Sequence, residues 1–249
     1  MFPKSVSIDK ILRGKISIIQ FKKGFRFGFD TVFLAAFVNG YLKKLKKKKI
    51  SLADVGSGVG TISLIIGYHN DKINITAIEN NDTYVEIANE NIVRNNFQKK
   101  INLMQGDIFN IDNDLMNRFD IVVTNPPFYD RKQKKSVNEL DNYAKRIINY
   151  ESWIENSLKL LKYKGIIFLI IPTGLLEKSL KILSKNTGSF KIFPIWPNQK
   201  KSSKRLILLA KKGGASPTEL MSGMRLLNNR GKITKKARTY SDNGIFNFL

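Results

Sequence analysis

The 249-residue sequence contains no cysteine and a single histidine. Without thiols there is no disulfide, no zinc–thiolate site and no cysteine nucleophile. One imidazole builds no histidine cluster, and His69, beside Asn70, reads as a solvated turn residue. Acidic residues are scarce as well: 20 Asp and Glu face 43 Lys and Arg, for a formal charge of +23. The chain is also rich in Lys, Ile and Asn, as a codon bias would make it, but such a bias leaves the acids at their usual abundance. The excess therefore points to a polyanionic partner, with nucleic acid ahead of a membrane surface. No stretch approaches the roughly 18 apolar residues of a membrane helix. The amino terminus lacks the apolar core and cleavage pattern of a secretory signal. A soluble, cytoplasmic protein is expected.

What is present is an alternation of strand and helix patterns. At this length one α/β domain with decorations is favoured over two cores. Apolar, β-branched runs at Ile50–Val55, Ile73–Glu79, Ile101–Gln105, Phe119–Thr124 and 166–171 predict buried parallel strands. Helical spacing follows at 61–66, at Tyr84, Ile87, Ala88 and Ile92, before Leu161, and at 174–185. Two further strands, at 190–195 and 205–210, complete the sheet. Three regions are expected: an amino-terminal arm or hairpin over 1–29, the α/β domain over 30–211, and a basic extension over 212–249. Asp30 is a good helix N-cap, and Val32, Phe33, Ala36 and Phe37 give the helix that follows an amphipathic stripe. That helix runs into Lys43, Lys44 and Lys46 to Lys49, either a solvated face or a set of phosphate contacts.

Four features carry chemistry. Asp54-Val55-Gly56-Ser57-Gly58-Val59-Gly60 ends the first strand and opens a helix. Its G-x-G-x-G spacing is not that of dinucleotide enzymes, and it lacks the Lys-Ser/Thr of a P-loop. Glycines there let a ligand lie against backbone, and the helix terminus can receive a carboxylate as well as a phosphate. Glu79 ends the second strand, where an acid commonly grips a ribose diol. Asp107 follows the third strand, placed to accept a hydrogen bond from an adenine amino group. Both acids are expected at exposed strand ends. Asn125-Pro126-Pro127-Phe128 follows the fourth strand. Two prolines force an extended turn at the strand's carboxyl end, presenting an amide, unclaimed carbonyls and an aromatic ring. Alone, the tetrapeptide is equally a surface turn with a buried Phe.

Together these residues, with Gly24-Phe25-Arg26-Phe27-Gly28-Phe29-Asp30 ahead of the sheet, resemble class I methyltransferases dependent on S-adenosylmethionine. Within that class the chain is most similar to the Asn-Pro-Pro-Phe/Tyr small-domain type. The bacterial adenine-N(6)-methyltransferases acting on valine tRNA beside the anticodon are closest. The resemblance covers roughly residues 10–210. It implies a Rossmann-like, seven-stranded sheet with its last strand antiparallel and helices on both faces. It also implies that Asp54, Gly56 and Gly58 line the methionine portion of the cofactor, that Glu79 holds the ribose, and that Asp107 and Ile108 hold the adenine. Arg26 and Phe27 would close over the site, and Asn125, Pro126, Pro127 and Phe128 would receive an extruded base, with no metal. The implied partner is RNA, a tRNA above all. Two alternatives stay open: a protein-glutamine or rRNA-guanine methyltransferase, and a non-catalytic RNA-binding protein on the same scaffold.

Overall fold

The computed structural model of the chain describes residues 5–23, 26–45, 49–127 and 150–247. Its centre is a twisted sheet whose strand order is β10-β8-β9-β7-β6-β3-β4-β5, with β11 also pairing to β8. The core strands are β3 (Ile50–Val55), β4 (Ile73–Glu79), β5 (Ile101–Gln105), β6 (Phe119–Thr124), β7 (Leu161–Pro172), β8 (Thr187–Trp196) and β9 (Arg205–Lys212). All are parallel except β9, which runs antiparallel between β7 and β8. The expected seven strands are thus present, and the sheet grows to nine. The additions are two-residue strands from the tail, β10 (Glu219–Leu220) and β11 (Met224–Arg225), which lie parallel along the edge of β8. Nothing in the periodicity of so short a pairing marks it in sequence.

Side chains alternate across the strands, as the period of two requires. Leu52, Ile121, Val123, Phe168 and Ile207 enter one core; Ala53, Val122, Ile167, Leu169 and Leu208 enter the other. The first core is covered by α1 (Phe29–Leu42), α2 (Thr61–His69), α3 (Asp82–Arg94) and α6 (Lys235–Asn243), the second by α4 (Tyr150–Lys159) and α5 (Leu176–Leu183). The helix expected to reach Leu161 stops at Lys159, because Leu161 already begins the long strand through Gly165.

Two sequence expectations about α1 fail. Instead of one apolar stripe, Thr31 to Gly40 is buried without interruption. The amino-terminal hairpin, β1 (Val6–Ile11) with β2 (Ile16–Phe21), and the tail residues Tyr240 and Phe246 join the core that holds this helix. Nor does Asp30 cap it. Gly28 occupies the N-cap position without a side-chain bond, and Asp30 in the first turn instead accepts from Arg205 Nε at 2.6 Å. His69 is likewise not a solvated turn residue. It closes α2, half-buried, with Nε2 2.7 Å from the Asn243 carbonyl, and burial lowers its pKa.

Candidate active site

The carboxyl ends of β3, β4 and β6 meet at one edge of the sheet. Val55 is paired with Thr124 on one side and Ile78 on the other, so the glycine turn emerges between Asn125 and Glu79. Gly56, Gly58 and Gly60 have φ of 70°, 56° and 83°, the left-handed region that only glycine enters freely. A Cβ on Gly56 would stand 2.9 Å from the Trp153 ring, whereas one on Gly58 meets nothing within 4 Å. The loop is thus pressed onto an indole below and open above.

Asp54 is fully buried. The Ser63 amide and hydroxyl donate to its Oδ2 at 3.1 and 2.7 Å, tying the strand to the first turn of α2. Burial pushes its pKa up to about 7, with the Glu79 carboxylate adding to the rise. Glu79, expected to be exposed, is 8% exposed. Gly58 N donates to Oε2 at 2.8 Å, and Asn80 N and Asn81 N donate to Oε1 at 3.0 Å each. Burial raises its pKa as well. It is buried because the glycine turn folds back over the end of β4, which the spacing of the motifs does not reveal. A carboxylate offers about four lone-pair sites, so three amides leave room for a further donor.

Asp107 is half-buried and accepts from Phe109 N at 2.9 Å, while Ile108 is buried. The two residues line a cavity of about 20 Å³ with Ile78, Met104 and Gly106. Asn125 and Pro127 are half-buried and Pro126 is buried. Phe128 lies outside the described residues, as does the polar, basic stretch that follows it in sequence, with Arg131, Lys132, Lys134 and Lys135.

Arg26 is drawn to the hairpin. Its guanidinium donates to Asp9 Oδ2 at 2.9 Å and to the Phe21 carbonyl at 2.9 Å. Phe27 packs on the first core, its amide donating to Gln20 Oε1 at 3.1 Å. Among the described residues neither makes a hydrogen bond to Asp54, Glu79 or Asp107.

Two residues that motif reading missed hold the site together. Trp153 Nε1 donates to Thr124 Oγ1 at 3.0 Å, and that hydroxyl donates to the Val55 carbonyl at 2.9 Å. One indole from α4 therefore floors the glycine turn and fastens the strand that carries Asn125. Phe109, 41% exposed, stands edge-on to it at 6.0 Å. The sequence signal for Trp153 was only its place on the apolar face of a helix.

Four polar atoms around this edge are buried and have no hydrogen-bond partner among the described residues: Asp54 Oδ1, Ser57 Oγ, Thr61 Oγ1 and Asn125 Oδ1. A buried polar atom left without a hydrogen-bond partner is costly, so each of these can take a further partner such as a ligand. A methyltransferase small domain model matches residues 38–192, which spans β3 to β7, the first part of β8 and every one of these groups.

The chain belongs to the methyltransferase small domain family. Solved methyltransferases share the fold. A predicted O-methyltransferase from Agrobacterium tumefaciens superposes with a TM-score of 0.70 at 18% identity, over 88% of this chain and 98% of that one. M. jannaschii TYW2 in complex with AdoMet gives 0.57 at 13%, over 84% and 86%. Sequence relatives are nearer. A protein of Flavobacteriaceae bacterium strain 3519-10 is 27% identical over 64% of each chain, and one of Flavobacterium psychrophilum is 25% identical over 73% and 74%. Both carry the name tRNA1(Val) (adenine(37)-N6)-methyltransferase. The chain thus spans just under two thirds of the first of them.

The residues at this edge would fit S-adenosylmethionine: Gly58 leaves room for a ligand against backbone, Asp54 Oδ1 and Ser57 Oγ have no partner among the described residues, and Glu79 and Asp107 follow along the same edge. No helix among the described residues is long and apolar enough to cross a membrane.

Proposed function

We propose that the protein transfers a methyl group from S-adenosylmethionine to the N6 amine of an adenine in tRNA, beside the anticodon, and so works in the cytoplasm. The observation that carries the reading is the buried Asn125 Oδ1 at the end of β6, one strand from the Asp54 turn and without a hydrogen-bond partner among the described residues. An acceptor in that place suits an exocyclic amine, and the basic excess of 43 Lys and Arg over 20 acids suits RNA. The relatives' names supply the adenine and the valine tRNA.

The bound cofactor supplies an already activated methyl group. The chain's task is alignment. Asn125 Oδ1 and the Pro126 carbonyl accept the two amine hydrogens, which draws the nitrogen lone pair out of conjugation and steadies the positive charge that develops on it. Pro127 keeps the turn rigid. Phe128 is assigned to stacking on the extruded base.

Single-turnover methylation of unmodified valine tRNA, read by nucleoside mass analysis, tests this. Asn125→Ala should lose about 2.7–4 kcal/mol of transition-state stabilisation, a few hundredfold in rate, with tRNA affinity nearly unchanged. Full activity in Asn125→Ala, or methyl incorporation into a base other than adenine, would refute the assignment.

A further inference from the structure

A cavity of about 460 Å³ opens at the far flank of the same sheet edge, lined by Trp196, Asn198, Gln199, Gly223, Arg225 and Lys236 among others. Its position follows from topology. Because β9 is antiparallel to both its neighbours, β8 runs parallel to β6 and β7, so Trp196 emerges at the edge that also carries Asn125. Three strand spacings separate β6 from β8, about 14 Å at 4.7–4.9 Å each. The acids assigned to the cofactor lie on β3, on β4 and beyond β5, in the other direction from β6. The half of the edge between β6 and β8 is thus clear of those acids.

The cavity is built from backbone pairing. Arg225 pairs with Trp196 across β11 and β8, and Leu226 N donates to the Trp196 carbonyl at 2.8 Å. Gly223 has φ of 71°, and a side chain there would run into the Pro194 carbonyl oxygen and the indole of Trp196. Thr234 Oγ1 donates to the Arg225 carbonyl at 2.8 Å and also caps α6, fixing the opposite wall. The Trp196 ring is half-buried, whereas Arg225 and Lys236 are exposed. From Trp196 to Lys236 the sequence has eleven Lys or Arg and one acid, Glu219, which pairs with Lys191.

An indole face, two amides and two cations in a cavity of ligand size are the groups that hold an unpaired nucleotide: ring for base, amides for base edge, cations for phosphate. We infer that this cavity captures a nucleotide of the substrate RNA a few positions from the one extruded at Asn125, giving the enzyme a second, non-catalytic grip on its substrate. The inference rests on the proposed function.

The full-length protein and unmodified valine tRNA test it. Arg225→Ala/Lys236→Ala should raise KM for tRNA about tenfold or more, leave kcat and S-adenosylmethionine affinity within about twofold, and make the salt dependence of tRNA binding shallower by about two. Trp196→Ala should weaken tRNA binding about 5- to 100-fold, and Trp196→Phe should restore most of it. A parent enzyme that methylates tRNA, with the double variant keeping its KM and salt slope, overturns the inference. Should Trp196→Ala fail to fold, the two exposed cations still decide. A parent protein that methylates no adenine counts instead against the proposed function, and tRNA binding by the same variants without cofactor still reports on the cavity.

Discussion

Glu79 holds three backbone amides on two oxygens, so shortening it has a structural consequence before any cofactor is considered. Glu79→Ala should destabilise the ligand-free protein by about 1–3 kcal/mol, since buried donors lose their acceptor. Glu79→Gln, which keeps one carbonyl, should lose less. Thermal melts without ligand distinguish this from the exposed strand end that the sequence implies, at which Ala would leave melting unchanged. Asp54 adds a pH signature. Its folded-state pKa of about 7 lies above the ordinary aspartate value of 3.8, so the folded chain binds more protons than the unfolded one between those values. Its contribution to stability is full below the lower value and lost as pH rises through about 7. The ligand-free parent should therefore lose stability relative to Asp54→Asn by as much as about 1.4 kcal/mol per pH unit in that window. Denaturant unfolding of both proteins between about pH 5 and about pH 8 measures it, and parallel curves would contradict it. The identities of Asp54, Glu79 and Asn125 were legible because each ends a β-branched run. The burial of Glu79 was not, because it depends on the glycine turn folding over a strand about twenty residues away.

At the scale of elements, no strand pairing among the described residues joins the hairpin to the main sheet; two asparagines of α3 hold it. Asn95 Oδ1 accepts from Ser17 N at 2.9 Å and its Nδ2 donates to the Ser17 carbonyl at 2.8 Å. Asn91 repeats the pattern one helical turn earlier, at 2.7 and 2.9 Å to Ile19, and its Nδ2 also donates to the Val59 carbonyl at 3.0 Å. The spacing of four on a helix matches the spacing of two on a strand, so both side chains imitate a neighbouring strand for β2. Because Val59 belongs to the glycine turn, the same amide couples the hairpin to the proposed cofactor site. Asn91→Ala should cost about 2–4 kcal/mol, since Asn91 is fully buried and three backbone groups lose partners. It should also weaken S-adenosylmethionine binding. Asn95→Ala, at a half-buried position, should cost less. Hydrogen exchange at the Ile19 amide and cofactor titration check both effects; a protected Ile19 amide in Asn91→Ala would refute the clamp. Strands and main helices were readable from periodicity. This clamp was not, because a buried asparagine looks like any other in an Asn-rich chain.

For the whole molecule the tail matters most. The sequence marks it only as a basic extension, yet Ala237, Tyr240 and Phe246 are buried in the first core. Phe246 stands 6.3, 5.7 and 5.5 Å from Phe33, Phe37 and Phe193 and stacks on Tyr240 at 4.0 Å. Its amide donates to the Ala36 carbonyl at 2.9 Å, and Asn39 Nδ2 donates to the Gly244 carbonyl at 2.7 Å. With the His69 contact to Asn243, three ties from α1 and α2 hold the last turn of the chain. The cations of α6 face outward while a few apolar residues face in, a pattern too short for periodicity to separate from a basic tail. Removing a buried Phe to Ala costs about 3–5 kcal/mol when the cavity does not collapse. Here the surrounding rings come from α1, β8 and α6, three elements that cannot close on the space together. Phe246→Ala should therefore lower stability by that amount in denaturant unfolding, and Phe246→Leu by a smaller part of it. Deleting residues 235–249 should lose more, because it also exposes Phe33, Phe37 and Phe193 and leaves the Asn39 and His69 side chains without their tail partners. A truncated chain that unfolds at the parent's denaturant midpoint would show that the tail is an appendage to the core.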